Sequence, residues 1–120
     1  MTKKNKFRGL DKRGEWHYGF YWESPNGIAY IKERINEYHS ADFEVKKETV
    51  GQFINSTDKN NVEIYEDDIV KLYEYKDIIE KIVFKNREFN VDGQFFFNPE
   101  KSEVISNAHQ NPELLKKIEN

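Results

Sequence analysis

The chain is expected to fold as a mainly β protein, a β-rich α+β domain built as a small antiparallel barrel or rolled sheet with a short C-terminal helix. Three observations carry that expectation. Trp16, Tyr18, Phe20 and Trp22 alternate with His17, Gly19 and Tyr21, the period of two that marks a strand. Asp92-Gly93 separates two short apolar runs, as in a tight hairpin. Many further short apolar runs are divided by polar turns, and one helix signal closes the chain. Closure into a barrel is favoured because it removes exposed strand edges.

Taken in order, the Trp16–Trp22 ladder leads into Ser24-Pro25-Asn26-Gly27, a turn in which proline presets its own φ and glycine accepts a positive one. Residues 28–31 should return as the second arm. Ile31, Ile35 and Tyr38 also fit one helical face, but strand is the preferred reading. Phe43-Glu44-Val45 and Val50-Gly51-Gln52-Phe53 read as short strands, and the polar stretch 56–61 as a loop. Ile64-Tyr65 enters an acidic corner, Glu66-Asp67-Asp68. A strand over 69–73 follows, with Val70 and Leu72 on one side and Lys71 and Tyr73 on the other. Ile82 and Phe84 alternate with Lys81, Val83 and Lys85. Residues 89–91 and 94–97 then form the arms of the Asp92-Gly93 hairpin, whose type I′ geometry needs positive φ. Val104-Ile105 is a last strand. Asn111 is placed to cap a terminal helix with Pro112 at its first position and Glu113 near the positive end of its dipole. Leu114, Leu115 and Ile118 would bury one face of it, and Lys116 and Lys117 sit near its C-terminal end.

Composition narrows the class. A chain of 120 residues suits one domain, residues 1–120, with a core large enough to need no disulfide or metal. Aromatic content of 15%, with nine Phe and seven Tyr, offers bulky filling for such a core. A net charge of -3 gives no global attraction to nucleic acid or to an anionic membrane. The absence of cysteine excludes disulfides, thiol catalysis and thiolate ligands together. The basic start Lys3-Lys4-Asn5-Lys6 precedes no signal-like apolar run, and no segment approaches the roughly 20 apolar residues of a membrane helix. Residence in the cytoplasm is the expectation.

Thr49-Val50-Gly51-Gln52-Phe53, Asp58-Lys59-Asn60-Asn61 and Ile64-Tyr65-Glu66-Asp67-Asp68-Ile69-Val70 together resemble the signature of the YopX family, small proteins of bacteriophages and prophages. Lys6-Phe7-Arg8-Gly9 with Asp11-Lys12 is similar to that family's opening. Trp16-His17-Tyr18-Gly19 stands where it has an aromatic strand. Glu103-Val104-Ile105-Ser106-Asn107 with Asn111-Pro112-Glu113-Leu114-Leu115 is similar to its closing segment. The resemblance implies a phage or prophage origin and no particular activity. Asn61, Asp67 and Ser106 replace family glycines, and the Thr-Gly pair after Phe53 is Ile54-Asn55. Asn and Asp tolerate a left-handed backbone, whereas serine does not share that tolerance.

Candidate chemistry is sparse. Glu66, Asp67 and Asp68 can be read as a cation site or an acid/base pair, since close like charges raise one pKa. The plainer reading is a structural turn in which Asp68 accepts backbone N–H groups, and the spacing fits no calcium loop. Asp92 and Gly93 form the other candidate structural turn. His17, His39 and His109 show no ligand spacing and read as ordinary surface or half-buried histidines. No Gly-x-Ser-x-Gly elbow and no phosphate-cradling loop is present among six glycines. The expectation is therefore no enzyme activity, no metal and no cofactor.

Phe95-Phe96-Phe97 and the Trp16–Trp22 ladder can serve as base-stacking platforms. Lys81, Lys85, Arg87 and the basic N-terminal segment would then meet the phosphates. The favoured reading is that these rings fill the core. Any outward row would mark a contact surface, for which Phe96, Tyr21, Tyr73 and Arg87 are the candidates. The functional expectation is a non-catalytic accessory protein that modulates a host or phage protein partner. Homo-oligomerisation is compatible with this, a nucleic-acid module is the alternative, and no membrane partner is expected.

Overall fold

The computed structural model describes residues 6–85, 87–93 and 96–115. Its contacts divide the chain into two compact units, Met1–Phe53 and Ile54–Asn120.

The first unit contains β1 (Phe7–Leu10), β2 (Trp16–Glu23), β3 (Ala29–Arg34), β4 (Ser40–Glu44) and the start of β5 (Gly51–Thr57). They form an antiparallel sheet in the order β4-β3-β2-β1-β5. The turn after β2 forms as expected, with the Gly27 N–H donating to the Ser24 carbonyl at 2.9 Å. Ile31 is fully buried in β3, whereas Ile35 and Tyr38 are 55% and 83% exposed in the β3–β4 connection. That difference rules out a shared buried helical face. Ala29, Ile31 and Val45 form the core of this unit, with Phe7, Tyr21 and Val50 packed against them.

Close approach of β2 to β3 depends on Gly19. A Cβ there would lie 2.1 Å from the Lys32 carbonyl oxygen and 3.3 Å from the Glu33 Cα. Only a residue without a side chain permits this spacing.

The second unit holds the end of β5 beside β6 (Glu63–Tyr65). It also holds an antiparallel sheet of β7 (Asp68–Leu72), β8 (Ile78–Lys85), β9 (Glu88–Val91) and β10 (Ser102–Asn107) in the order β10-β7-β8-β9. Its core is Ile64, Val70, Leu72, Ile82 and Val91, with Ile54, Tyr75, Phe97 and Val104 against it. Ile69 is also fully buried, so β7 presents apolar residues to both of its faces. Residues 113–115 are helical. At their start the Asn111 carbonyl accepts the Leu114 N–H, its Oδ1 accepts the Ser106 hydroxyl, and its amide donates to Glu113. Lys116, Lys117 and Ile118 lie outside the described residues.

The expected fold class holds, mainly β and antiparallel, but the sheets do not close into a barrel. Open edges are managed instead by brevity and charge, the usual defence against edge pairing. Strand β4 ends its sheet with Asp42 and Glu44, β9 has four residues beginning at Glu88, and β6 has three.

Asn55, Asn61 and Asp67 adopt left-handed backbone, with φ of 66°, 65° and 72°. Each stands where the family signature has glycine, and each belongs to a residue type that tolerates that region. Ser106 stays out of it; β10 absorbs the change in a register shift between Val104 and Ser106.

Among the described residues Asp92-Gly93 does not take the expected type I′ form, and Gln94 and Phe95 of the expected second arm lie outside them. A tight hairpin lies earlier, where Lys85 pairs with Glu88 and Arg87 takes φ of 69°. Neither Asp92 nor Gly93 has positive φ, and residues 96–98 are not strand. Gly93 is small for a different reason. A Cβ there would meet the Glu80 carboxylate at 2.6 Å, and the Gly93 N–H donates to that carboxylate.

Candidate functional site

Alternation along β2 sends its two residue sets to opposite faces. Paired residues across the sheet share a face, so Tyr18 lies with Arg8, Phe20 with Lys32, and Trp22 with Tyr30. Lys32 and Tyr30 in turn lie with Asp42 and Glu44. The expectation that the Trp16–Trp22 ladder fills the core is corrected here. Tyr18 is 39% and Phe20 55% exposed, and Trp16 and Trp22 are half-buried. Aliphatic residues occupy the centre of each core, and Tyr65 is the one aromatic among the described residues that is fully enclosed. Short strands leave little interior depth for rings, while cations and neighbouring rings stabilise them at the surface. The Arg8 guanidinium lies 4.4 Å over Trp16, and Trp22 stacks on Tyr30 at 4.7 Å. The Trp22 indole N–H donates to Asp42 at 2.9 Å, and Lys32 pairs with the same carboxylate at 3.2 Å. Phe20 is thus an exposed ring within a fixed polar and aromatic frame.

On the opposite face, His17 is 8% exposed and its ring stacks on Phe43 at 4.1 Å. Its Nε2 lies 2.8 Å from Asp11 Oδ2 and its Nδ1 2.9 Å from Glu33 Oε1. Asp11 also accepts the backbone N–H groups of Arg13 and Glu15. The Glu15 N–H and the His17 imidazole hold its carboxyl down at about 2. Burial opposes charge on His17, yet hydrogen bonds to Asp11 and Glu33 outweigh it and raise its pKa above the ordinary 6.5. Asp11, Glu15 and His17 bring ligand-type atoms within 4.8 Å of one another. Both His17 ring nitrogens already lie within hydrogen-bond distance of a carboxylate oxygen. The sequence reading missed this cluster. Its only local trace is Asp11 six residues before His17, and Glu33 arrives through sheet register.

The expected contact residues are not gathered into one patch. Tyr21 is half-buried on the core face, with its ring 5.7 Å from Phe7 and its hydroxyl donating to Glu23. Burial and Glu23 push that phenol up to about 12. Phe96 is 75% exposed, whereas neighbouring Phe97 packs inward. Tyr73 is 39% exposed but engaged: Lys59 lies 4.1 Å over its ring and its hydroxyl donates to Glu103. Arg87 sits at the exposed β8–β9 turn. Tyr73 and Arg87 lie beyond opposite ends of β8, whose eight residues span about 26 Å at strand rise.

The acidic corner is a hydrogen-bonded turn. Asp68 is 2% exposed and accepts the Tyr65 N–H at 2.7 Å. Asp67 contacts His109 Nε2 at 3.1 Å, its N–H donates to the Ile82 carbonyl, and its own carbonyl accepts the Ala108 N–H. Glu66 is half-buried beside them. Asp92 follows β9, its N–H donating to the Lys81 carbonyl at 2.9 Å. A hollow of about 330 Å³ in the second unit is lined, among the described residues, by Ser56, Thr57, Asn98, Pro99 and Glu100. Among the described residues no helix is long and apolar enough to cross a membrane.

The family model for YopX protein matches residues 6–116, nearly the whole chain. The chain belongs to the YopX family. The segments that carry its signature run from β1 to the helical turn at 113–115, through both units. A solved structure, that of protein EF1440 from Enterococcus faecalis, is similar to this YopX-family chain with a TM-score of 0.59. The two are 23% identical, and the match covers 92% of this chain and 96% of that one. At that identity the likeness speaks for the fold alone. No curated protein matches the chain.

Proposed function

We propose that this YopX-family chain is a phage or prophage accessory protein of the host cytoplasm that acts without catalysis. It would bind a host or phage protein through the outer face of β2 and β3. The observation that carries this reading is Phe20, 55% exposed, paired across the sheet with Lys32 of the Lys32–Asp42 ion pair and on the same face as the stacked Trp22–Tyr30 pair. Exposed rings framed by satisfied polar groups are the usual composition of a protein-binding hot spot. Nucleic acid is the weaker reading because cations near these rings are already engaged. Lys32 is held by Asp42, Arg8 by Trp16, and Arg34 donates to the carbonyls of Asn36 and Glu37. Of these described cations, Lys32 is neutralised by its carboxylate partner and so tracks phosphates less well.

The test is affinity purification from host cells with the tagged protein, its Phe20→Asp variant and a Phe96→Asp control. A protein retained by wild type and by the control but lost with Phe20→Asp supports the reading, and a second copy of the chain is one such outcome. Identical retained sets for wild type and Phe20→Asp would refute it. Oligonucleotide binding that weakens steeply with salt and is lost with Phe20→Asp would instead establish the nucleic-acid alternative.

A further inference from the structure

We propose that His17 is a proton-operated lock on the first unit: as imidazolium it clamps the β1–β2 turn to β3, and loss of its proton releases the clamp. The clamp is built from three places in the sequence. Asp11 organises the β1–β2 turn, accepting the N–H groups of Arg13 and Glu15 at 2.9 and 3.0 Å while its own N–H donates to the Glu15 carbonyl. His17 extends from β2 and Glu33 from β3, and both ring nitrogens meet a carboxylate oxygen within 2.9 Å. On β4 the contact is the uncharged ring of Phe43. The strand β1 residue paired with His17 is Gly9, which adds no charge. Glu15 is the remaining titratable group at the cluster, and it is exposed and paired with Arg13 at 3.7 Å. Among the described residues, the charges that act on His17 are the carboxylates of Asp11 and Glu33.

Two carboxylates can both be satisfied only if both ring nitrogens carry protons. A neutral imidazole has one N–H, so one carboxylate must then face a nitrogen lone pair, and no cation remains between Asp11 and Glu33. With the ring nearly enclosed, water has little access to repair the lost bond. The side chain of Glu33 is 33% exposed, against 10% for Asp11, so Glu33 is the arm that lets go. Release frees the β3 end of the sheet from the β1–β2 turn.

The test is an NMR pH titration of the His17 ring nitrogens in the full chain, with Glu33→Gln as the comparison. Both nitrogens should show imidazolium shifts at pH 6, with a titration midpoint above 6.5. In Glu33→Gln the midpoint should fall by about one pH unit, the effect of removing one adjacent opposite charge. A wild-type midpoint at or below 6.5, or a midpoint unmoved by Glu33→Gln, would overturn the lock. The wild-type measurement decides by itself should the variant fail to fold, and neither readout depends on any binding partner.

Discussion

Replacing Gly19 with alanine adds one methyl group at a point where the sheet has no room for it. The new Cβ would stand 2.1 Å from the Lys32 carbonyl oxygen and 3.0 Å from its carbon. Ordinary contact begins near 3.4 Å, so β2 and β3 must separate locally by more than an ångström. The obstacle is backbone, which cannot rotate aside as a side chain can. Separation there strains the flanking Phe20↔Lys32 pair and pulls Glu33 away from His17, which projects from the same face two residues earlier. Overpacking costs about 1–3 kcal/mol when side chains can adjust, so about 3 kcal/mol is expected here. Set against a typical total of about 5–15 kcal/mol, that is a large fraction. At about 4 °C per kcal/mol it corresponds to a Tm lowered by about 12 °C. Urea denaturation followed by circular dichroism, with a thermal scan in parallel, reads both quantities. A Gly19→Ala protein within about 0.5 kcal/mol of wild type would show that β2 and β3 are not held at this spacing.

Four further outcomes follow from the same structure. Asp58 is 4% exposed and accepts the N–H groups of Asn60, Val62 and Val104, so Asp58→Ala should cost about 3 kcal/mol in urea denaturation. Ile82→Ala removes a fully buried side chain from the second core and should cost about 3 kcal/mol by the same assay. Glu80 is held above the ordinary carboxylate range by burial first and then by Asp92. Glu80→Gln should therefore stabilise the protein at pH 7 by less than about 1 kcal/mol, and the gain should vanish as pH falls through the folded pKa of Glu80. Measured across pH, the contribution of the His17 cluster should be complete between 3.8 and 6.5. Asp11 gives up its share as pH falls from 3.8 toward about 2, and His17 gives up its share as pH rises through its raised pKa.

Strand positions were largely legible because period-two alternation and turn chemistry are local. The Trp16–Trp22 ladder became β2, the Ser24–Gly27 turn formed, and Asn61 and Asp67 took the backbone their residue types suggested. Facing was not legible. Alternation says that Phe20 and His17 lie on opposite faces, but both faces of β2 carry rings, so hydrophobicity does not reveal which is inward. The decision falls to partners supplied by other strands, Ile31 and Phe43 on one side and Lys32 and Asp42 on the other. The histidine cluster was hidden for the same reason, since Glu33 reaches His17 only through the β2–β3 register. Asp92-Gly93 misled because a glycine with positive φ and a glycine beside a packed side chain look identical in sequence. Only the Glu80 carboxylate beside Gly93 distinguishes them.

The measurement that bears most directly on the binding face is an amide NMR titration of the isotope-labelled protein with the protein it retains from host cells. Shift changes should concentrate at Tyr18, Phe20, Trp22, Tyr30 and Lys32. Changes confined to the Asp67–His109 corner or to the hollow at Ser56, Asn98 and Glu100, with Phe20 and its neighbours unmoved, would contradict the account.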